Sequence, residues 1–236
     1  PTVYEDLKKR AEAYINKVLK KYKKARRMWE LLNNDPEVNA NWDIANYIAV
    51  KRLKYNDHGE VHAKVVAANA LKMLKILLEC GVVPDLMEDG FYDEDDVFLV
   101  VLAGALLHDI GNVVHRENHP LHSVYLAINI LNRLLPKIYD DEEVMYEIRN
   151  HILHVIYAHG VEIKDLTLEA ALVGVSDGTD MTKGRGRLAF DTGNINIHTV
   201  SALSVEDVEI VKGVTKPIRI LIKLSNSAGI FQVQET

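Results

Sequence analysis

The stretch Val97-Phe-Leu-Val-Val-Leu-Ala-Gly-Ala-Leu-Leu-His-Asp-Ile-Gly111 decides how this chain folds. Its first part, Val97 to His108, reads as a helix that is apolar on all sides, so it belongs inside a domain. The longest apolar run, Phe98 to Leu107, is too short to cross a bilayer as a helix. Glu94, Asp95 and Asp96 just before it place negative charge at the helix N-terminus, where the dipole favours it. The helix ends in His108-Asp109, and Gly111 can cap it. Two titratable groups thus emerge from the end of a buried element. Burying them without partners would be costly, so they need something to bind.

Working outward, residues 4–35 are rich in Lys, Glu, Ala and Leu and contain no Pro or Gly, which predicts helix. Asn33-Asn-Asp-Pro36 marks its break, and a second helix is predicted over Trp42 to Leu53. The next helix is predicted from His58 to Glu79. Its His62, Val66, Ala70, Met73 and Leu77 recur every three or four residues, which turns His62 inward and puts His58, one turn earlier, on the same side. Gly81 stops this helix and Pro84 blocks a restart. Further helices are predicted over Pro120 to Leu135, Asp141 to His159 and about Leu166 to Asp180.

After about residue 188 the character changes: Gly184, Gly186, Gly193 and several Asn interrupt helix. Val205 to Val211 and Ile218 to Leu224 alternate in part, and Lys212 to Pro217 joins them with a glycine and a proline, so a β-hairpin is predicted. Ile195 to Val200 is a candidate third strand. The fold class is therefore mainly α: a helical body with an N-terminal helical extension over 1–188, then a small antiparallel β appendage over 189–236.

The 236 residues carry a net charge of −6, which disfavours a broad basic surface for extended nucleic acid. Cys80 is the one cysteine, so no internal disulfide is expected, in keeping with a reducing compartment. The first 30 residues are charged throughout and lack an apolar signal segment. The expectation is a cytoplasmic protein with no membrane partner, and a homo-oligomer is left open.

Nine of the ten histidines fall between His58 and His159. One histidine on an apolar face is usually a hydrogen-bonded core residue. Here several stand at the ends of apolar helices, beside Asp109 and Asp177, and imidazole with carboxylate is a ligand set of transition metals. The order makes the pattern specific: His62-Ala-Lys-Val-Val-Ala67, then Leu106-Leu-His-Asp-Ile-Gly111, then Val175-Ser-Asp177. Over residues 55–185 the chain resembles the HD-domain superfamily, and beyond that an archaeal branch of it.

The resemblance implies an HD-domain helical bundle in which His62, His108, Asp109 and Asp177 hold a divalent transition metal (Mn, Fe, Co, Ni or Zn). Many relatives hold two, so one or two per chain are implied. His119 is then the third histidine, His159 or its competitor His154 the fourth, and Asp109 the bridge. His58 is either an extra ligand or a group that hydrogen-bonds an outer carboxylate or the substrate. His115 and His122 are acid–base candidates or members of a solvated loop and helix face, while His151 and His198 are read as structural or exposed. Asn112 stands where the phosphodiesterase branch often has lysine, and no Gly-Tyr-Pro follows His159, both of which count against cyclic dinucleotide hydrolysis. Positive charge for a phosphate is sought instead in Arg116, Lys183, Arg185 and Arg187.

The implied function is metal-dependent hydrolysis of a small phosphate ester, with a nucleotide as leading candidate and Asp109, His58 and His115 as catalytic residues. No Ser-His-Asp elbow, glycine-rich phosphate loop or reactive-cysteine motif competes with it. Two rivals share the ligand set: a di-iron HD oxygenase, and a non-catalytic metal- and nucleotide-binding regulatory module.

Overall fold

A computed structural model describes residues 3–181, 201 and 203–235. Its centre is the helix α5 over Glu94–Leu107, in which every residue from Asp96 to Leu107 is buried. The N-terminus of α5 is closed by a capping box. The Asp93 side chain accepts from the Asp96 backbone N–H, and the Asp96 side chain accepts from that of Asp93. Around α5 pack α2 (Lys23–Asn33), α4 (Glu60–Glu79), α7 (Glu142–Ala158) and α8 (Leu168–Thr179). At Gly104 a β-carbon would stand 2.3 Å from Val155 Cγ1, so the missing side chain is what lets α5 and α7 approach. The stretch Glu94–Val113 is long and apolar enough to span a membrane, yet 94% of its most apolar window is buried inside the protein.

The segment predicted as one helix over 4–35 is two, α1 (Val3–Val18) and α2, parted by a 3₁₀ turn at Leu19–Lys21 and by Tyr22 in extended conformation. Tertiary contacts make this break. The Tyr22 hydroxyl donates to Glu94 at 2.8 Å and its ring stacks on Phe98 at 4.1 Å. Asp95 then accepts the Lys24 and Ala25 backbone N–H groups at the start of α2.

The helix predicted over Trp42 to Leu53 is α3 (Pro36–Asn46) followed by a π-helical turn at Tyr47–Arg52. Asp35 caps α3 by accepting from Glu37 and Val38 N–H, and Trp42 Nε1 donates to the Leu106 carbonyl near the end of α5 at 3.0 Å. The α4 helix begins at Glu60 and not at His58, because Asp57 accepts from the Gly59 and His62 backbone N–H groups and fixes the start there. His58 therefore lies in the loop before α4.

The α6 helix spans His119–Leu134. The predicted hairpin is present as β1 (Val205–Lys212) and β2 (Ile218–Leu224), antiparallel, with Glu209 opposite Leu221. Ile210 of β1 joins the core beside α4. A short helix α9 (Gly229–Glu235) follows, which the sequence pattern did not predict. The candidate strand over 195–200 lies outside the described residues.

Candidate metal centre

Four imidazoles and two carboxylates meet where the ends of α4, α5, α6, α7 and α8 converge. His62 sits in the first turn of α4, His108 ends α5, His119 opens α6, His159 ends α7 and Asp177 lies in the last turn of α8. His62 Nε2 lies 3.2 Å from His108 Nε2, 3.3 Å from Asp109 Oδ2 and 3.1 Å from Asp177 Oδ1. On the other side of the same carboxylate, Asp109 Oδ1 lies 3.1 Å from His119 Nε2 and 3.6 Å from His159 Nε2. Those two nitrogens are 3.0 Å apart. Asp109 thus faces one group of donors with each oxygen.

The outer nitrogens explain why the inner ones converge. Nδ1 of His108, His119 and His159 each donates to the carbonyl three residues earlier, on Ala105, Arg116 and Ile156. His62 Nδ1 donates instead to the Asp180 carboxylate at 2.7 Å. These partners assign the proton to Nδ1, so each Nε2 turns a lone pair inward. Lone pairs then oppose carboxylate oxygens at close range, and the buried Asp109 Oδ1 accepts no hydrogen bond. Acceptors facing acceptors repel unless positive charge sits between them. Donor atoms about 2.0–2.2 Å from one cation lie roughly 3.0–3.5 Å apart, close to the spacing found. Three overlapping groups, His58/His62/Asp109, His62/His108/Asp177 and His108/Asp109/His159, have their donor atoms within 4.8 Å of one another and could hold an ion.

The carboxylates are poised to stay ionised. Burial alone would raise the Asp109 carboxyl, but where protons rather than a cation relieve the repulsion, charged His58 and His108 and donating His119 and His159 outweigh it and hold Asp109 well below the usual carboxylate range. Asp177 follows the same logic: His108 and His62 overcome its desolvation and lower it strongly. Asp57, behind His62, goes the other way, since burial pushes it up more than His62 and the backbone N–H groups pull it down.

The sequence model of the HD domain matches residues 62–182, just over half of the chain. The chain belongs to the HD domain family. This HD-family chain is 50% identical over 206 residues to the uncharacterized protein MJ1020 of Methanocaldococcus jannaschii, covering 87% of this chain and 79% of that relative. No solved structure matches significantly. The family is generally one of metal-dependent phosphohydrolases, with some non-catalytic members, and its metal-binding character agrees with the His and Asp groups found here.

Around the HD centre the remaining expected residues divide. His58 is brought in, with Nδ1 2.6 Å from Asp109 Oδ2. Arg116 is brought to the rim, with Nη1 3.3 Å from His119 Nε2 and 3.8 Å from Asp109 Oδ1. His154 is not: its Nε2 accepts the Leu166 backbone N–H at 3.1 Å, on a surface shared with Glu147, Asn150 and His151. Of the two competitors His159 stands at the centre, because it caps α7 while His154 looks along another face of the helix. His115 is exposed and accepts the Glu117 backbone N–H. His122 is half-buried on α6, one turn beyond His119. Lys183, Arg185, Arg187 and His198 lie outside the described residues. Two residues escaped sequence reasoning. Asp180 holds His62 from outside, and its spacing of one turn after Asp177 was the signal available. Asp57 sets the start of α4 and carried no signal beyond a carboxylate before a helix.

Proposed function

We propose that this chain is a metal-dependent phosphohydrolase acting on a small phosphate ester, with nucleotides as the leading class. The observation that carries the reading is the Asp109 carboxylate, whose oxygens face two separate sets of inward imidazole lone pairs. His62, His108, Asp109 and Asp177 would hold one divalent ion, and Asp109, His119 and His159 a second. When bound, such an ion lowers the pKa of coordinated water toward roughly 7 and polarises a phosphoryl oxygen.

The chain's own residues supply the rest. Asp177 is 29% exposed at its side chain and His119 14%, so among the described residues this is the edge by which a small molecule would approach the centre. Arg116, 34% exposed, offers a guanidinium to a phosphate oxygen there. Asn112, fully buried, accepts from Arg116 Nη1 at 3.3 Å and donates through Nδ2 to the Asp109 carbonyl at 2.8 Å, so it ties the cation to the His-Asp turn. His58 is the imidazole placed to hold a proton beside the bridging carboxylate. A cation at the rim favours an anionic substrate over an uncharged one, which ranks hydrolysis above oxygenation. The net charge of −6 favours a small substrate over a long nucleic acid.

The test loads the chain separately with Mn, Co, Ni or Mg and offers nucleoside mono-, di- and triphosphates and cyclic nucleotides. Phosphate or nucleoside is released with at least one metal, and release stops with EDTA and in Asp177→Ala. A metal-loaded chain that turns over none of these substrates refutes the reading.

A further inference from the structure

Arg116 grips His119 from both sides of its ring. Its backbone carbonyl accepts from His119 Nδ1 at 2.9 Å, and its own Nη1 lies 3.3 Å from Nε2. Because the carbonyl fixes the ring proton on Nδ1, Nε2 is the acceptor and the guanidinium donates to it. Nη1 is therefore engaged with the same lone pair that a cation between Asp109 Oδ1, His119 and His159 would need. It also brings a positive charge to 3.8 Å from Asp109 Oδ1. Asn112 Oδ1 accepts from the same Nη1 at 3.3 Å and steadies the guanidinium in that place.

The other side of the carboxylate has the opposite outer charge. His62 donates Nδ1–H to buried Asp180, a carboxylate, where His108, His119 and His159 donate theirs to neutral carbonyls. A carboxylate behind an imidazole makes its inner nitrogen a stronger ligand. Asp177 adds a second carboxylate oxygen 3.1 Å from His62 Nε2. The position beside His62 thus has Asp177 and Asp180 in addition to the shared Asp109, against the His58 imidazole at Asp109 Oδ2, whereas the other has Asp109 alone and is shadowed by an arginine.

We propose that Arg116 makes the two cation positions unequal: it guards the Asp109/His119/His159 position, so that one divalent ion binds tightly beside His62 and a second enters only by displacing the guanidinium. This rests on the reading that the cluster binds divalent cations, but not on any substrate or reaction. Arg116 is one-third exposed, so it can leave, and its hold on His119 is a penalty on the second ion without being an absolute block.

The experiment titrates the metal-stripped full chain with Mn²⁺ and counts free aquo-Mn²⁺ by electron paramagnetic resonance. In the parent chain two steps are expected, separated on the order of a hundredfold, given the opposite outer charges. In Arg116→Gln the second step tightens by about tenfold, the scale of one charge-assisted hydrogen bond no longer to be broken. The first step stays within about twofold of the parent and shows that the variant is folded. In Asp180→Asn the first step weakens by about 10- to 100-fold, the range for outer-shell partners of a ligating histidine. Equal steps in the parent, or a second step unmoved in Arg116→Gln, overturn the inference while leaving metal binding intact. A chain that binds no Mn²⁺ overturns the metal reading as well.

Discussion

Adding one methyl group at Gly111 should separate the two halves of the centre. Gly111 lies two residues after Asp109, where the 3₁₀ turn Ile110–Val113 runs against the start of α6. A β-carbon there would stand 2.1 Å from the His119 carbonyl oxygen and 2.4 Å from the Ser123 backbone nitrogen. Ordinary contact begins at 3.4 Å, so the α6 N-terminus must retreat by about 1.3 Å. The nearest atoms are backbone, so no rotamer change relieves the clash. The same retreat strains the bond from Gly111 N–H to Ser123 Oγ at 2.8 Å. Overpacking of this kind costs about 1–3 kcal/mol, and the rigidity of both neighbours places Gly111→Ala at about 3. His119 moves with α6 and leaves Asp109 Oδ1, which it now approaches to 3.1 Å, while His62, His108 and Asp177 belong to other elements. Urea denaturation in chelator measures the loss of stability, and Mn²⁺ titration measures the loss of the second equivalent with retention of the first. Ser123→Ala should not rescue either property, because it removes only the hydroxyl. A Gly111→Ala chain with parental stability and both equivalents would refute the steric reasoning.

His159→Ala should abolish the second Mn²⁺ equivalent, whereas His154→Ala should leave both steps within about twofold, since its ring binds the Leu166 backbone; equilibrium dialysis distinguishes them. Hydrogen bonds from Arg133 hold Asp35 below its ordinary value, against burial and with help from the Val38 and Glu37 N–H groups. Its stabilising contribution is therefore complete above an unfolded value of about 3.9 and disappears as pH falls through the lower folded value. Asp35→Asn should lose about 1–2 kcal/mol at pH 7 and flatten the acid limb of a urea-midpoint profile. Burial raises Glu169, with Asp85 adding to it against the Leu86 N–H, so the folded state holds its proton more tightly than the unfolded state. Stability then falls as pH rises above about 4.3, and Glu169→Gln should melt higher than the parent at pH 8 and level with it near pH 4.

The buried helix, the inward histidine of α4 and the hairpin were legible because each rests on a local pattern: uniform apolarity, a three-to-four spacing, alternation around a glycine-proline link. The break at Tyr22 was not, because nothing in a Lys- and Ala-rich stretch opposes helix; contacts with Glu94 and Phe98, some seventy residues away, impose it. The order of His62, His108-Asp109 and Asp177 pointed to one centre, but spacing alone left His154 and His159 in competition. That choice is made by where α7 ends and by which ring the loop at Leu166 captures. Asp180 was missed because its role belongs to a contact across 118 residues, and only a carboxylate one turn past Asp177 hinted at it.

A helix that is greasy all the way round has no preferred way to face. Sliding α5 about its own axis would bury much the same apolar area, so the hydrophobic effect leaves its rotation nearly degenerate. Polar anchors and one notch lift that degeneracy. At one end Asp95 seats the start of α2, and Asp96 takes Lys24 Nζ and the Tyr139 hydroxyl, each at 2.6 Å. Near the other, Trp42 pins the Leu106 carbonyl and Gly104 admits Val155. Fourteen residues at about 1.5 Å each put the acidic end roughly 20 Å from His108. The heading of the His-Asp pair is therefore set partly by groups that never come near it, like a key whose bit is aimed by its bow.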